Sequence, residues 1–271
     1  MFGFAGRFSS LISVSDNVLL NITVMLLIVT GGLGFIVWED MYRYRFEFGK
    51  YSLHSKILLS FTLILLFGGA ALFFAVEYKS AFSHLPPGQK IMAAFFQAIT
   101  PRTAGFCTVD QASLSQNGRL LTVLLMFIGG GSGSTAGGIK VTTFAVLILS
   151  MLSAARGKQS VTLFRKRLGD DSLKQASSIF LIYGFMVIVS FFIMSMVEKV
   201  SGWSLIFEIV SAVCTVGSTL GITPTLTTMS KIVLMILMFC GRIGGLTFML
   251  LIAEKRSDTK AERPTEKIII G

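Results

Sequence analysis

The chain has 271 residues, of which 53% are hydrophobic and 14% charged, with a mean hydropathy of +0.75. Soluble domains carry roughly 25% charged residues, so disorder, a collagen-like chain and a basic nucleic-acid-binding domain are excluded. The formal net charge of +10 needs another explanation, and the three cysteines (Cys107, Cys214, Cys240) sit in apolar stretches rather than in a disulfide framework.

In chain order, residues 18–38 form the first stretch apolar enough for a membrane helix, which takes about 20 residues. Residues 57–78 form the second, and 120–155 a third that is interrupted at 129–138. Residues 179–197 and 232–253 are the fourth and fifth. Two apolar segments, 91–100 and 203–215, are too short to span. They are expected to enter the membrane and leave by the same face, buried in protein or lining a water-filled cavity.

The basic residues account for the charge. Arg43, Arg45, Lys50 and Lys56 follow the first stretch, and Arg156, Lys158, Arg165, Lys166, Arg167 and Lys174 follow the third. With Lys255, Arg256, Lys260, Arg263 and Lys267 in the tail, these are 15 of the 24 Lys and Arg residues. They share one side of a membrane only if both short segments turn back, and the positive-inside rule makes that side cytoplasmic. The charge is a topology signal and not a nucleic-acid patch.

After residue 55 the order long helix, short helix, loop, long helix occurs twice. Thr103-Ala-Gly105 matches Thr215-Val-Gly217 at a shift of 112, where Phe127 also meets Phe239, Gly129 meets Gly241 and Thr135 meets Thr247. Gly31-Gly-Leu-Gly-Phe35 matches Gly244-Gly-Leu-Thr-Phe248 at a shift of 213. These spacings predict an all-α membrane protein of repeated helix–re-entrant pore helix–helix units around a pore, with two complete repeats plus the last helix of a preceding one.

A short helix that ends at Thr-x-Gly and returns as extended chain lets glycine turn consecutive carbonyls toward one axis. Rings of carbonyls replace a cation's hydration shell, and the helix adds the negative end of its dipole. Thr103, Ala104, Gly105 and Phe106, with Thr215, Val216, Gly217 and Ser218, are the candidate ion-binding filter residues. Neither loop holds a carboxylate, which favours a weakly hydrated monovalent cation over Ca²⁺ or Mg²⁺. A plain turn is the competing reading of either tripeptide alone; two copies at equivalent places favour a filter.

Gly129, Gly130, Gly131, Ser132, Gly133, Ser134, Thr135, Ala136, Gly137 and Gly138 cannot keep a stiff helix at about 1 kcal/mol per glycine. The run reads as a flexible intramembrane loop below the filter, a candidate gate, with a static break as the alternative. Arg242, mid-helix in the last stretch, reads as a gate or barrier charge, or as a tether for carbonyls freed by the loop. Lys140 closes the loop, as part of the gate or snorkelling to the interface. Glu208 would hydrogen-bond the filter backbone or face the outer vestibule. Asp110 would concentrate cations at the mouth or stand as a surface charge. Cys107 and Cys214 read as packing residues. With no nucleophile–base pair, metal cluster or P-loop in the sequence, neither an enzyme nor a bound cofactor is expected.

Four strings together resemble the TrkH/KtrB potassium-uptake family: Thr100-Pro-Arg-Thr-Ala-Gly-Phe106, Gly129-Gly-Gly-Ser-Gly-Ser-Thr-Ala-Gly-Gly-Ile-Lys140, Thr215-Val-Gly-Ser218 and Gly241-Arg242. The likeness covers essentially the whole chain and is closer to the KtrB branch. It implies four repeats around one pore per subunit, each giving one filter strand. It implies K⁺ transport across the bacterial cytoplasmic membrane, with K⁺ at the filter residues and Na⁺ as activator or co-ion. It implies a multi-pass homodimer in membrane lipid, a cytoplasmic C-terminus, and cytosolic nucleotide-binding regulatory subunits of the KtrA/TrkA kind. It matches the family's gate to residues 129–138 and its intramembrane arginine to Arg242. On this reading residues 1–55 end a second pore repeat, with a filter-loop remnant, a spanning helix and a cytosolic loop. Residues 56–171 are the third repeat with the Gly-rich loop, 172–255 the fourth, and 256–271 a cytosolic tail. The start departs from the pattern, since Phe2-Gly3-Phe4 stands where a filter triplet is expected, so the chain reads as a C-terminal part. The alternative is a non-conducting membrane scaffold or regulatory partner that lacks a complete pore.

Overall fold

The computed structural model describes residues 3–4, 8–45, 47–158, 161–164 and 166–244. The expectations for Phe2, for Thr247 and Phe248, for residues 245–253 of the fifth stretch and for the tail lie outside them. Nine α-helices occur among the described residues: α1 (Val18–Gly32), α2 (Phe35–Tyr44), α3 (Leu53–Glu77), α4 (Pro87–Ile99), α5 (Gln116–Phe127), α6 (Val141–Ala155), α7 (Asp170–Val197), α8 (Gly202–Val213) and α9 (Thr228–Ile243). Gly3–Phe4 pairs with Phe8–Ser9, and Thr162–Leu163 with Lys166–Arg167, as two short antiparallel hairpins.

Helix starts follow from side chains that accept otherwise unpaired N–H groups, which are costly to leave open in an apolar solvent. Asn17 caps α1 at Leu20 N (3.1 Å), Ser52 caps α3 at Ser55 N (3.2 Å), Ser115 caps α5 at Gly118 N (3.1 Å) and Thr227 caps α9 at Ser230 N (3.4 Å). Three of these capping residues are themselves held by a carboxylate from an earlier helix. Asp40 Oδ2, within α2, accepts from Ser52 N (3.0 Å) and Oγ (2.6 Å). Glu77 Oε1 accepts from Ser115 N (3.0 Å) and Oγ (2.5 Å), and Glu198 Oε1 from Thr227 N (2.8 Å) and Oγ1 (2.7 Å). The Glu77 and Glu198 clamps join the exit of one helix to the start of another.

The two short helices sit in separate cradles. Ala94 and Ala98 of α4 pack with Ala70 and Phe73 of α3 and Leu125 of α5. Leu205, Ile209 and Val213 of α8 pack with Tyr183 and Met194 of α7 and Leu234 and Leu237 of α9. Met126, Phe207, Val210, Cys214 and Val216 join the cradles. α3 and α7 are long and apolar enough to cross a bilayer, with mean hydropathies of 2.5 and 2.4 over their most apolar windows. Their outer faces carry exposed Ile64, Phe67, Leu181, Phe185 and Phe192, as contact with lipid tails requires.

The first expected span is not one helix: α1 and α2 meet at 95°. Gly34 takes φ +82 at the bend, and a Cβ there would overlap the Ser132 carbonyl. The chain turns because the glycine-rich segment occupies the space ahead, with Phe35 N donating to Gly133 O at 3.2 Å. The caps Asn17 and Thr227, and the helix-ending glycines Gly34 and Gly244 (φ +82 and +88), also coincide at a shift of 210, whereas residues 245–248 of the 213 match lie outside the described residues. Three residues are close to one helical turn, so a string of small residues matches almost as well one turn away.

Candidate functional site

Both short helices run into a Thr-x-Gly loop, and the two loops share a pattern of positive φ. Thr103 and Gly105 take φ +66 and +72, Thr215 and Gly217 take +53 and +83, and neither Ala104 nor Val216 lies at positive φ. A β-branched residue at positive φ is strained, at about 1–3 kcal/mol each, and two threonines here accept that strain. The N–H groups turn back to the helix ends. Ala104 N and Gly105 N donate to Thr100 O (both 3.2 Å), Thr215 N to Ala212 O (3.0 Å) and Val216 N to Ser211 O (2.8 Å). A hydroxyl fixes the end of each loop: Thr100 Oγ1 donates to Phe106 O, and Ser211 Oγ to Ser218 O (2.6 Å). The loops lie edge to edge, since a Cβ on Gly105 would overlap the Val216 carbonyl.

The residues after each loop are braced differently. Gln97 and Gln111 exchange amide hydrogen bonds at 2.8 and 3.1 Å behind the first. Behind the second, Glu208 accepts from Thr219 Oγ1, from Leu220 N (3.3 Å) and from Thr223 Oγ1 (3.0 Å). Glu208 therefore ties down the chain leaving the loop. Asp110 caps a turn by accepting from Ala112 N at 3.0 Å and is exposed. Cys107 and Cys214 are buried among packed side chains and make no disulfide. Arg102 is 7% exposed at the C-terminal end of α4, with its guanidinium donating to Thr62 Oγ1 on α3 at 3.3 Å.

The glycine-rich segment between α5 and α6 is closed on itself. Ile128 and Ile139 form a parallel bridge, Gly129 N donates to Ile139 O (2.8 Å) and Val141 N to Gly130 O (3.0 Å). Lys140 also donates to Ala136 O within it, and two ties come from outside: Gly131 N reaches Gly32 O (2.7 Å) and Arg242 donates to Thr135 O. The segment also packs directly under the second loop, since a Cβ on Gly137 would overlap Thr215 Oγ1 and one on Gly138 would press on Cys214. Of the two sequence readings of Arg242, the tether is the contact made.

Two cavities flank the segment. One, of about 390 Å³, is lined by Thr103, Ala104 and Phe106 with Thr135, Ala136 and the α1 residues Leu27, Gly31 and Gly32. The other, of about 480 Å³, is lined by Ser132, Gly133, Gly138 and Lys140 with His54, Ser172 and Gln175. The sequence reading missed Thr100 and Ser211, because they correspond at a shift of 111 and not at the 112 that aligns the loops. It also missed the clamps of Asp40, Glu77 and Glu198, whose capping partners lie 12 to 38 residues away.

Short buried helices that stop at paired backbone loops, between long apolar helices, define a helical membrane protein. The chain matches the family described as TrkH, cation transport protein, over residues 2–263, and it belongs to that family. These are cation transporters and not enzymes. The chain is 38% identical to the potassium/sodium uptake protein NtpJ of Enterococcus hirae, over 99% of this chain and 61% of that protein. It is 37% identical to the Ktr system potassium uptake protein B of Bacillus subtilis, over 99% of this chain and 60% of that one. It thus spans about three fifths of the length of these relatives. Its fold matches the crystal structure of the potassium transporter TrkH from Vibrio parahaemolyticus, with a TM-score of 0.70 at 20% identity, over 86% of this chain and 52% of that one.

Proposed function

We propose that this chain forms part of a K⁺-translocating subunit of the KtrB/TrkH kind. In this reading Thr103, Ala104, Gly105 and Phe106, with Thr215, Val216, Gly217 and Ser218, give two strands of a carbonyl-lined filter. The observation that carries it is the shared pattern of positive φ in the two loops, with N–H groups turned back to the helix ends and the loops in contact at Gly105 and Val216. Residues 129–138 are the gate beneath, with Arg242 and Lys140 holding its carbonyls in the closed arrangement. Two cavities meeting at this segment support that assignment. Residues 1–55, 56–171 and 172–255 are the end of one pore repeat and two whole ones, with 256–271 as the tail.

The names of the relatives support K⁺ as the ion, and that of NtpJ supports a part for Na⁺ as activator or co-ion. The subunit sits in a bacterial cytoplasmic membrane with its basic loops and C-terminus inside. It works as a homodimer on cytosolic nucleotide-binding regulatory subunits, a reading that rests on the family resemblance.

The test is a chimera in which this chain replaces the matching region of the Bacillus subtilis relative, expressed in a bacterium lacking K⁺ uptake. Growth at low K⁺ is expected. No growth from a membrane-inserted, normally expressed chimera contradicts the proposal and favours the non-conducting scaffold.

A further inference from the structure

Outside the proposed ion pathway, two deeply buried polar atoms belong to residues that line one small cavity. Asn21 of α1 is 1% exposed and Thr108, two residues past the first loop, is 7% exposed. Among the described residues Asn21 Oδ1 and Thr108 Oγ1 have no hydrogen-bond partner, and both residues line a cavity of about 20 Å³ with Ser15, Gln89, Met92 and Phe96. The orientation of the Asn21 amide is fixed independently, because its Nδ2 donates to Ser15 O (2.8 Å) and Asn17 O (2.9 Å). The carbonyl oxygen therefore points away from those two acceptors.

We propose that Asn21 and Thr108 hold one ordered water, which ties α1 to the chain leaving the first Thr-x-Gly loop. A buried water needs about 10–15 Å³ and two to four polar partners, and this cavity offers both. The water donates to Asn21 Oδ1, which can only accept, and shares its second bond with the Thr108 hydroxyl. A small cation fits less well. No carboxylate lines the cavity, and Gln89 places it beside the first turn of α4, the positive end of that helix. The water extends a direct seam next to it, where Cys107 N donates to Ser10 Oγ (2.9 Å) and Leu11 N to Cys107 O (3.0 Å). Asn21 and Thr108 are thus positioning residues for the outer end of the first loop. The second loop has no counterpart, because Leu220 aligns with Thr108 and its N–H goes to Glu208.

The test is a structure of the full chain in lipid, at a resolution that shows ordered waters, in K⁺ buffer with and without Na⁺. A single peak within hydrogen-bond reach of Asn21 Oδ1 and Thr108 Oγ1 is expected in both buffers. It is expected to vanish in Thr108→Val and persist in Thr108→Ser. No peak, or one that appears only with Na⁺, overturns the proposal. The positioning role rests on the filter reading above, and its readout is the preference for K⁺ over Na⁺ in the chimera. Thr108→Val is expected to lower that preference severalfold, with Thr108→Ser restoring it to within about twofold of the parent. An unchanged preference in a Thr108→Val chimera that has lost the peak overturns the positioning role. A chimera that moves no K⁺ at all overturns the filter reading and leaves the density to decide the water.

Discussion

Residues 103–106 and 215–218 turn at the same two places. Threonine and glycine sit at positive φ in both, and a hydroxyl from the end of the short helix donates to the last carbonyl in both. What stands behind them differs. A neutral amide pair, Gln97 with Gln111, braces the first, and a buried carboxylate, Glu208, braces the second. The brace changed together with its partners: Gln faces Gln, and the carboxylate faces two threonine hydroxyls and a backbone N–H. The pattern of positive φ is thus the shared feature, and any brace that leaves no buried polar group open can support it.

That comparison breaks most visibly at Glu208. Glu208→Leu removes the acceptor for three donors in a buried setting and is expected to destabilise the protein by roughly 3 kcal/mol or more. Gln97→Leu strands one amide and is expected to cost about 1–2 kcal/mol. Thermal melting in lipid nanodiscs measures both, and equal losses would mean that the braces are not different in kind.

A smaller effect separates the helix clamps. Glu77 is fully buried, whereas Glu198 lies at the surface. Hydrogen bonds from Ser230 and Thr227 hold the Glu198 carboxyl below its ordinary range. A carboxylate with a lowered pKa stabilises the fold above its unfolded pKa, near 4.5, and loses that contribution as pH falls through the lower folded value. Glu198→Gln is therefore expected to lower the melting temperature slightly at pH 7 and to flatten its pH dependence below about pH 5. An unchanged pH profile would show that the clamp adds nothing.

The length and apolarity of α3 and α7 were legible because membrane thickness sets them directly, and α4 and α8 because they are apolar yet too short to span. Both Thr-x-Gly loops were legible because a backbone need for positive φ leaves glycine in the sequence. The 95° bend at Gly34 was not: Gly31, Gly32 and Gly34 weaken a helix locally, but nothing within residues 18–38 sets a turn of that size. Its cause is the segment around Ser132 and Gly133, a hundred residues on. The same holds for the ties that close residues 129–138: glycine content suggests flexibility, whereas partners from α1 and α9 decide what the segment does.

The central claim is that two edge-to-edge loops select K⁺ through their backbone. Gly105 tests it most directly, because φ +72 and the Val216 carbonyl both forbid a side chain there. Rubidium uptake by the chimera, measured against rising Na⁺, is the readout. Gly105→Ala is expected to lose tenfold or more of the preference for K⁺-like ions, a change of about 1.4 kcal/mol or more. Gly217→Ala, at φ +83, is expected to lose preference in the same direction. Uptake by both variants with the parent's preference intact would contradict the account.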